Sequence, residues 1–240
     1  MQSASDQILE YEPGDLTCVV EAGLHLSMLN ATLAAHGQRF SLDPPGDPTL
    51  GDCLLHNLSG PLRHRFGTMR DLVIGVTATL PDGVRTSSGG KVVKNVAGYD
   101  LGKLFCGSRG ALGRVNRLAL RVHPAPADAR TVVTDADWLR LHRSQLVPSA
   151  VDIACGRMYV LFEGSPEAVD AQARALGGEV IEPWPELRSL QERFPRAVRW
   201  QGEEGPLVRP GPAVVYVEET DEPVWSPLAE RVRKMLCNQI

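Results

Sequence analysis

The chain has 240 residues, 43% of them apolar and 22% charged, with a formal net charge of −4. That length can bury a core in one or two domains, and the acidic balance gives no support to a nucleic-acid partner. No apolar run approaches the roughly 20 residues a helix needs to cross a bilayer. The N-terminus, MQSASDQILEYEPGD, has no basic region followed by an apolar block, so no secretory signal is expected.

In chain order, Leu16 to Ala22 reads as a strand ending at Gly23. Leu26, Leu29 and Leu33 recur at helical spacing, so Leu24 to His36 is predicted to be an amphipathic helix closed by Gly37. Leu42 to Pro48 (LDPPGDP) is a turn-rich loop. Leu50, Leu54 and Leu58 lie one turn apart and predict a short helix from Thr49 toward Asn57. Leu72 to Leu80 alternates as a strand, Pro81-Asp82-Gly83 turns the chain, and Val84 to Ser87 returns. Leu118, Leu120 and Val122 mark another strand before Pro124.

Pro124-Ala125-Pro126-Ala127 reads as a boundary. It divides the chain into residues 1–123 and a second, smaller α+β domain of residues 124–240. In the second part, Val151 to Ala154 and Met158 to Phe162 predict a hairpin around Gly156. Ser165-Pro166-Glu167 predicts a capped helix start, and Gly177-Gly178 its end. A late strand is expected over Ala213 to Val217 and a late helix over Pro227 to Leu236.

The densest information lies between Lys91 and Gly113, KVVKNVAGYDLGKLFCGSRGALG. Glycine at that density marks positive φ or a close approach to the backbone. Upstream lies NLSGPLRHRFG, Asn57 to Gly67. The two segments read as walls of a site for a flat, phosphorylated cofactor. A phosphate needs convergent backbone N–H donors, which Thr49-Leu50-Gly51 at a helix start and Asn57-Leu58-Ser59-Gly60 could supply. The same residues also read as a capped helix followed by a surface turn. Asn95, Gly98 and Asp100 could bond a polar cofactor tail, or form turns and caps. No Walker A loop or G-x-G-x-x-G turn is present, and no G-x-S-x-G elbow, so no residue is assigned as catalytic. Any redox chemistry would be carried by a bound cofactor.

The five cysteines, Cys18, Cys53, Cys106, Cys155 and Cys237, are far apart and never form a C-x-x-C pair. Iron–sulfur and structural zinc sites are therefore not expected, and the scattered histidines suggest no metal site.

These motifs resemble a known family. NLSGPLRHRFGTMRDLVIGV followed by GGKVVKNVAGYDLGKLFCGSRGALG is similar to the FAD-binding subunits of bacterial glycolate oxidase, in the vanillyl-alcohol oxidase/PCMH flavoprotein superfamily. The similarity runs closely from Leu9 to Pro124 and more weakly through Phe162 to Glu179 and Trp184 to Leu190. The resemblance implies an α+β, PCMH-type fold with non-covalent FAD, followed by a substrate-side cap domain. It implies that Pro45, Thr49, Leu50 and Gly51 run along the pyrophosphate and ribityl chain. Asn57, Ser59, Gly60 and Gly67 would lie near the ribityl chain and isoalloxazine, and Gly110, Leu112, Gly113 and Val115 near the adenosine. It further implies oxidation of glycolate or a related small 2-hydroxy acid to the 2-oxo acid. The partners would be a second FAD-binding subunit and an iron–sulfur subunit, in the cytoplasm or at the inner membrane through those partners.

The chain departs from the family pattern. It opens at ILEYEPGDLTCVVEAG, which corresponds to the end of the family's first FAD subdomain, so the main phosphate loop is expected to be missing. The strand and helix after Leu16 are then expected to lack packing partners and to leave an apolar face for a partner. Asp52 stands where the family has glycine, and a carboxylate beside a pyrophosphate is unfavourable unless paired. Ala111 replaces a hydroxyl donor. A second reading is a non-catalytic assembly subunit that has lost tight flavin binding.

Overall fold

The structure, a computed structural model, describes residues 6–90, 101–135, 137–181, 191–193, 196–199, 205 and 207–217. The fold is α+β, built on two antiparallel sheets. The first sheet contains β1 (Ile8–Glu12), β2 (Thr17–Glu21), β4 (Val73–Thr79), β5 (Arg85–Gly89) and β6 (Arg114–Arg121), in the order β1-β2-β6-β4-β5. Between β2 and β4 the chain forms α1 (Leu26–Ala34), a short strand β3 (Gln38–Arg39), α2 (Leu50–His56), α3 (Arg63–Phe66) and α4 (Met69–Leu72).

Alternation sets the faces of this sheet. Cys18 and Val20 of β2, Val76 and Ala78 of β4, and Leu118 and Leu120 of β6 are buried in one cluster with Leu29 and Leu33 of α1 and Leu50 and Leu54 of α2. The expectation that the strand after Leu16 lacks packing partners is corrected. β2 lies inside the sheet between β1 and β6, and its Cys18 and Val20 are fully buried. β1, which carries little apolar alternation, pairs along that edge. The large apolar side chains exposed among the described residues, Met28, Val84, Leu139, Val147 and Val180, sit on separate elements and loops.

The second sheet follows a ribbon in which β7 (His123–Pro124) pairs with β3. It comprises β8 (Asp128–Thr134), β9 (Ala150–Ala154), β10 (Arg157–Gly164), β11 (Glu179–Ile181), β12 (Arg196–Arg199), β13 (Leu207–Arg209) and β14 (Val214–Val217). Their order is β11-β8-β10-β9-β13-β14-β12. Helix α5 (Trp138–His142) and helix α6 (Pro166–Leu176) pack Leu141, Val169 and Ala173 against Val132, Val160 and Phe162. α6 starts as the sequence suggests, with the Ser165 hydroxyl accepting from Ala168 N and Pro166 in the first turn. The anticipated helix over Pro227 to Leu236 lies outside the described residues.

The sheets are joined by more than the ribbon. Leu62, just before α3, is buried with Ala150, Leu161, Leu207 and Tyr216 of the second sheet. Arg39 donates through Nη1 and Nη2 to the Glu163 carboxylate at 2.6 and 2.7 Å. The segment between Asn57 and Gly67 therefore stands at the junction of the two sheets.

Candidate functional site

Helix α2 organises the site. Thr49 caps it: Oγ1 accepts from Asp52 N at 3.1 Å and donates to Asp52 Oδ2 at 2.7 Å. The carboxylate that stands in place of the family's glycine is thus paired in the first turn of its own helix. At the other end Asn57 adopts the left-handed conformation (φ 49°), and its Oδ1 accepts from Arg70 N at 3.1 Å.

Three loops meet around this helix. Leu42 to Pro48 leads into its start. The turn after it passes so close to that loop that a Cβ on Gly60 would lie 1.8 Å from Asp43 O. Asp43 Oδ1 accepts from Leu62 N at 3.0 Å, locking the two loops together. The glycine-rich segment docks on the far end, with Gly107 N donating to Leu54 O and Arg109 N to Leu55 O, both at 2.9 Å. Pro45, Thr49, Leu50, Gly51, Asn57, Ser59 and Gly60 are thereby gathered on one helix and its flanking turns.

Gly110, Leu112, Gly113 and Val115 follow from the docked loop into β6. Gly113 lies against Thr79, whose carbonyl oxygen would sit 2.4 Å from an added Cβ. Val115 is buried in the core, with Leu112 packed against it. Gly67 (φ 82°) lies apart, against the capping box of Thr68 and Asp71. Asn95 and Gly98 lie outside the described residues.

The helix start does not offer open phosphate donors. Leu50 N donates to Leu24 O at 2.9 Å and Gly51 N to Ala22 O at 2.7 Å, while Thr49 Oγ1 takes Asp52 N. The backbone stays open elsewhere. Gly46 (φ 70°) and Gly110 (φ 80°) have nothing within 4 Å of an added Cβ. They flank opposite ends of a helix of seven residues, roughly 10 Å long at 1.5 Å per residue. Open backbone around α2 therefore lies in the flanking loops rather than in its first turn.

Several residues that shape the site carry no local sequence signal. Gln191 is buried and donates Nε2 to Ser59 O at 2.8 Å. Asp43 joins two loops. Arg65 extends toward Ser149 Oγ at 3.3 Å. The partners lie 19 to 132 residues apart in sequence, so no spacing pattern exposes them. His56 and His64 are both engaged structurally: His56 Nδ1 lies 3.1 Å from Asp52 O, and the His64 ring stands edge-on to Trp138 at 6.1 Å. Burial pushes the Cys53 thiol, inside α2, up to about 12.

A family profile described as an FAD binding domain matches residues 1–88. Residues 1–88 of this chain are thus similar to an FAD-binding domain. The family that this profile describes binds FAD. Among curated relatives, the chain is 31% identical over 199 residues to "Glycolate oxidase subunit GlcE" of Escherichia coli, covering 78% of this chain and 57% of that one. It is 33% identical over 135 residues to the mitochondrial "D-lactate dehydrogenase [cytochrome] 1" of Saccharomyces cerevisiae, covering 56% of this chain and 23% of that one. A solved alkyldihydroxyacetonephosphate synthase superposes with a TM-score of 0.61 at 17% identity, over 76% of this chain and 44% of that one. This last likeness is one of fold. The chain thus spans little more than half of GlcE and under a quarter of the yeast enzyme. No helix among its described residues is long and apolar enough to cross a membrane.

Proposed function

We propose that this chain is the FAD-binding subunit of a glycolate oxidase-like complex that oxidises glycolate, or a related small 2-hydroxy acid, to the 2-oxo acid. The observation that carries this reading is the convergence of the Leu42–Pro48, Asn57–Gly60 and Gly107–Gly113 segments on α2 within an FAD-binding fold. FAD, when bound, supplies the two-electron acceptor. The chain's own part is to hold and orient it. Gly46 and Gly110 give open backbone, Ser59 and Gly60 are held between Gln191 and the Asp43 loop, and Thr49 keeps the Asp52 carboxylate turned into the helix. The engaged positions of His56 and His64 support non-covalent binding. The partners in this reading are a second FAD-binding subunit and an iron–sulfur subunit, in the cytoplasm or at the inner membrane.

A second reading is a non-catalytic assembly subunit. It is favoured by one observation, that the amides at the start of α2 are already satisfied within the fold. One experiment separates the two. The purified chain is titrated with FAD while flavin fluorescence and the visible flavin bands are followed, and the loaded protein is then mixed anaerobically with glycolate or D-lactate. Saturable quenching with a sub-micromolar Kd, followed by bleaching, supports the redox subunit. A colourless chain that ignores FAD overturns it in favour of assembly.

A further inference from the structure

Away from the α2 loops, cationic groups converge on the ring of Phe66, where the two sheets meet. The guanidinium carbon of Arg39 lies 5.3 Å from the ring centroid and that of Arg65 5.5 Å. The His123 ring lies 4.7 Å from it, inclined by 50°. Arg39 and His123 are cross-strand partners in the β3–β7 ribbon, so the fold fixes them side by side. Arg121 closes β6 two residues before His123.

The charges in this cluster do not balance. The Glu163 carboxylate is engaged by both terminal nitrogens of Arg39. Arg65 has a 3.3 Å contact to the neutral Ser149 hydroxyl. Among the described residues no carboxylate pairs with Arg65 or Arg121, and both side chains are exposed. Burial, and then the fields of Arg121, Arg39 and Arg65, hold the His123 imidazole below its usual range. Arg39 Nε and His123 Nδ1 are buried without a hydrogen-bond partner.

We propose that this junction binds a small oxyanion, a carboxylate or phosphate, between the Arg65 and Arg121 guanidinium groups and the His123 ring. Guanidinium forks match the paired oxygens of either group. An anion there would offset the repulsion among the arginines and draw His123 toward its protonated form. Arg65 also borders the α2 loops, whereas Arg39, Arg121 and His123 lie on strands outside them, so the site is tested without flavin.

The test uses the full chain without added flavin, at fixed ionic strength. His123 is followed by NMR during titration with inorganic phosphate and, separately, with glycolate, its resonance assigned from His123→Gln. Saturable movement of that resonance, with a rise in the His123 pKa, is expected for at least one anion. Arg65→Gln and Arg121→Gln should each weaken binding by about tenfold. Saturation by glycolate alone identifies a carboxylate site, and saturation by phosphate alone a phosphate site. A response no larger than that of exposed His25 and His36, or one unchanged in both arginine variants, overturns the proposal.

Discussion

Arg209 and Asp152 face each other inside the second sheet, Nε to Oδ1 at 2.8 Å and Nη2 to Oδ2 at 3.4 Å, with 1% and 0% of their side chains exposed. The third arm of the guanidinium, Nη1, donates to Tyr216 Oη at 2.6 Å. Strands β9 and β13 are neighbours, so the pair is set by sheet register. A buried pair of this kind is costly to break and cheap to replace, because losing one partner strands the other charge. Arg209→Met and Asp152→Leu should each lower stability by about 3–5 kcal/mol in urea unfolding. The double variant should recover most of that loss. Additive losses in the double variant would show that the pair does not act as a unit.

How much of this was legible in the sequence depends on range. The Thr49 cap of α2, the Ser165-Pro166 start of α6 and the turn at Gly83 were readable because their signals lie within a few residues. β1 was missed because five residues carrying Glu10 and Glu12 show little apolar alternation. β3 and β7, two residues each, have no periodicity to read. At the site, the motifs marked segments that meet around α2. They could not show that the amides of Leu50 and Gly51 are satisfied by Leu24 and Ala22, because that follows from how α2 docks on β2. Arg209 and Asp152 lie 57 residues apart on strands made adjacent by topology alone.

Gly60 marks the tightest loop crossing of the site, where an added Cβ would fall 1.8 Å from Asp43 O and 2.4 Å from its Oδ1. Both are atoms of a loop fixed by the Asp43–Leu62 hydrogen bond, so neither can move freely. Gly60→Ala should destabilise the fold by about 1–3 kcal/mol, in the range of overpacked cores, and should weaken FAD binding by parting the two loops. Gly46→Ala, with open space around the added carbon, serves as the comparison. Its cost should be limited to the backbone strain of φ 70°, about 1 kcal/mol. Equal melting temperatures for the two variants would rule out the crossing as the cause.

The cysteines separate by accessibility. Cys18, Cys53 and Cys106 are buried, and Cys155 is exposed at a turn with φ 52°. Burial pushes the Cys18 and Cys53 thiols up to about 12, so neither presents a thiolate near neutral pH. Among these four, a thiol-specific disulfide reagent should label Cys155 in the native protein and reach the others only on unfolding. Labelling that persists at the same rate in Cys155→Ser, mapped to Cys18 or Cys53, would contradict the buried core around β2 and α2.

The pH dependence of stability should carry the signature of His64. Its Nδ1 is buried without a partner, its ring stands edge-on to Trp138, and Gly211 lies against it, where an added Cβ would be 2.2 Å from Nδ1. Burial, and then the nearby His142, lower its pKa from the ordinary histidine value. The sign follows from linkage. Near and below pH 6.5 the unfolded chain takes up the proton while the folded chain resists it, so the unfolded state binds more protons. Stability is therefore full above that value and falls as pH drops toward the folded pKa. The slope stays below the limit of about 1.4 kcal/mol per pH unit for each histidine, because both rings are partly screened by solvent. His123 contributes with the same sign, through burial and then Arg121, Arg39 and Arg65. Urea unfolding between about pH 5 and 7.5 should show this decline. His64→Gln, which cannot take up the proton, should flatten it, and a slope unchanged in that variant would exclude His64 as its source.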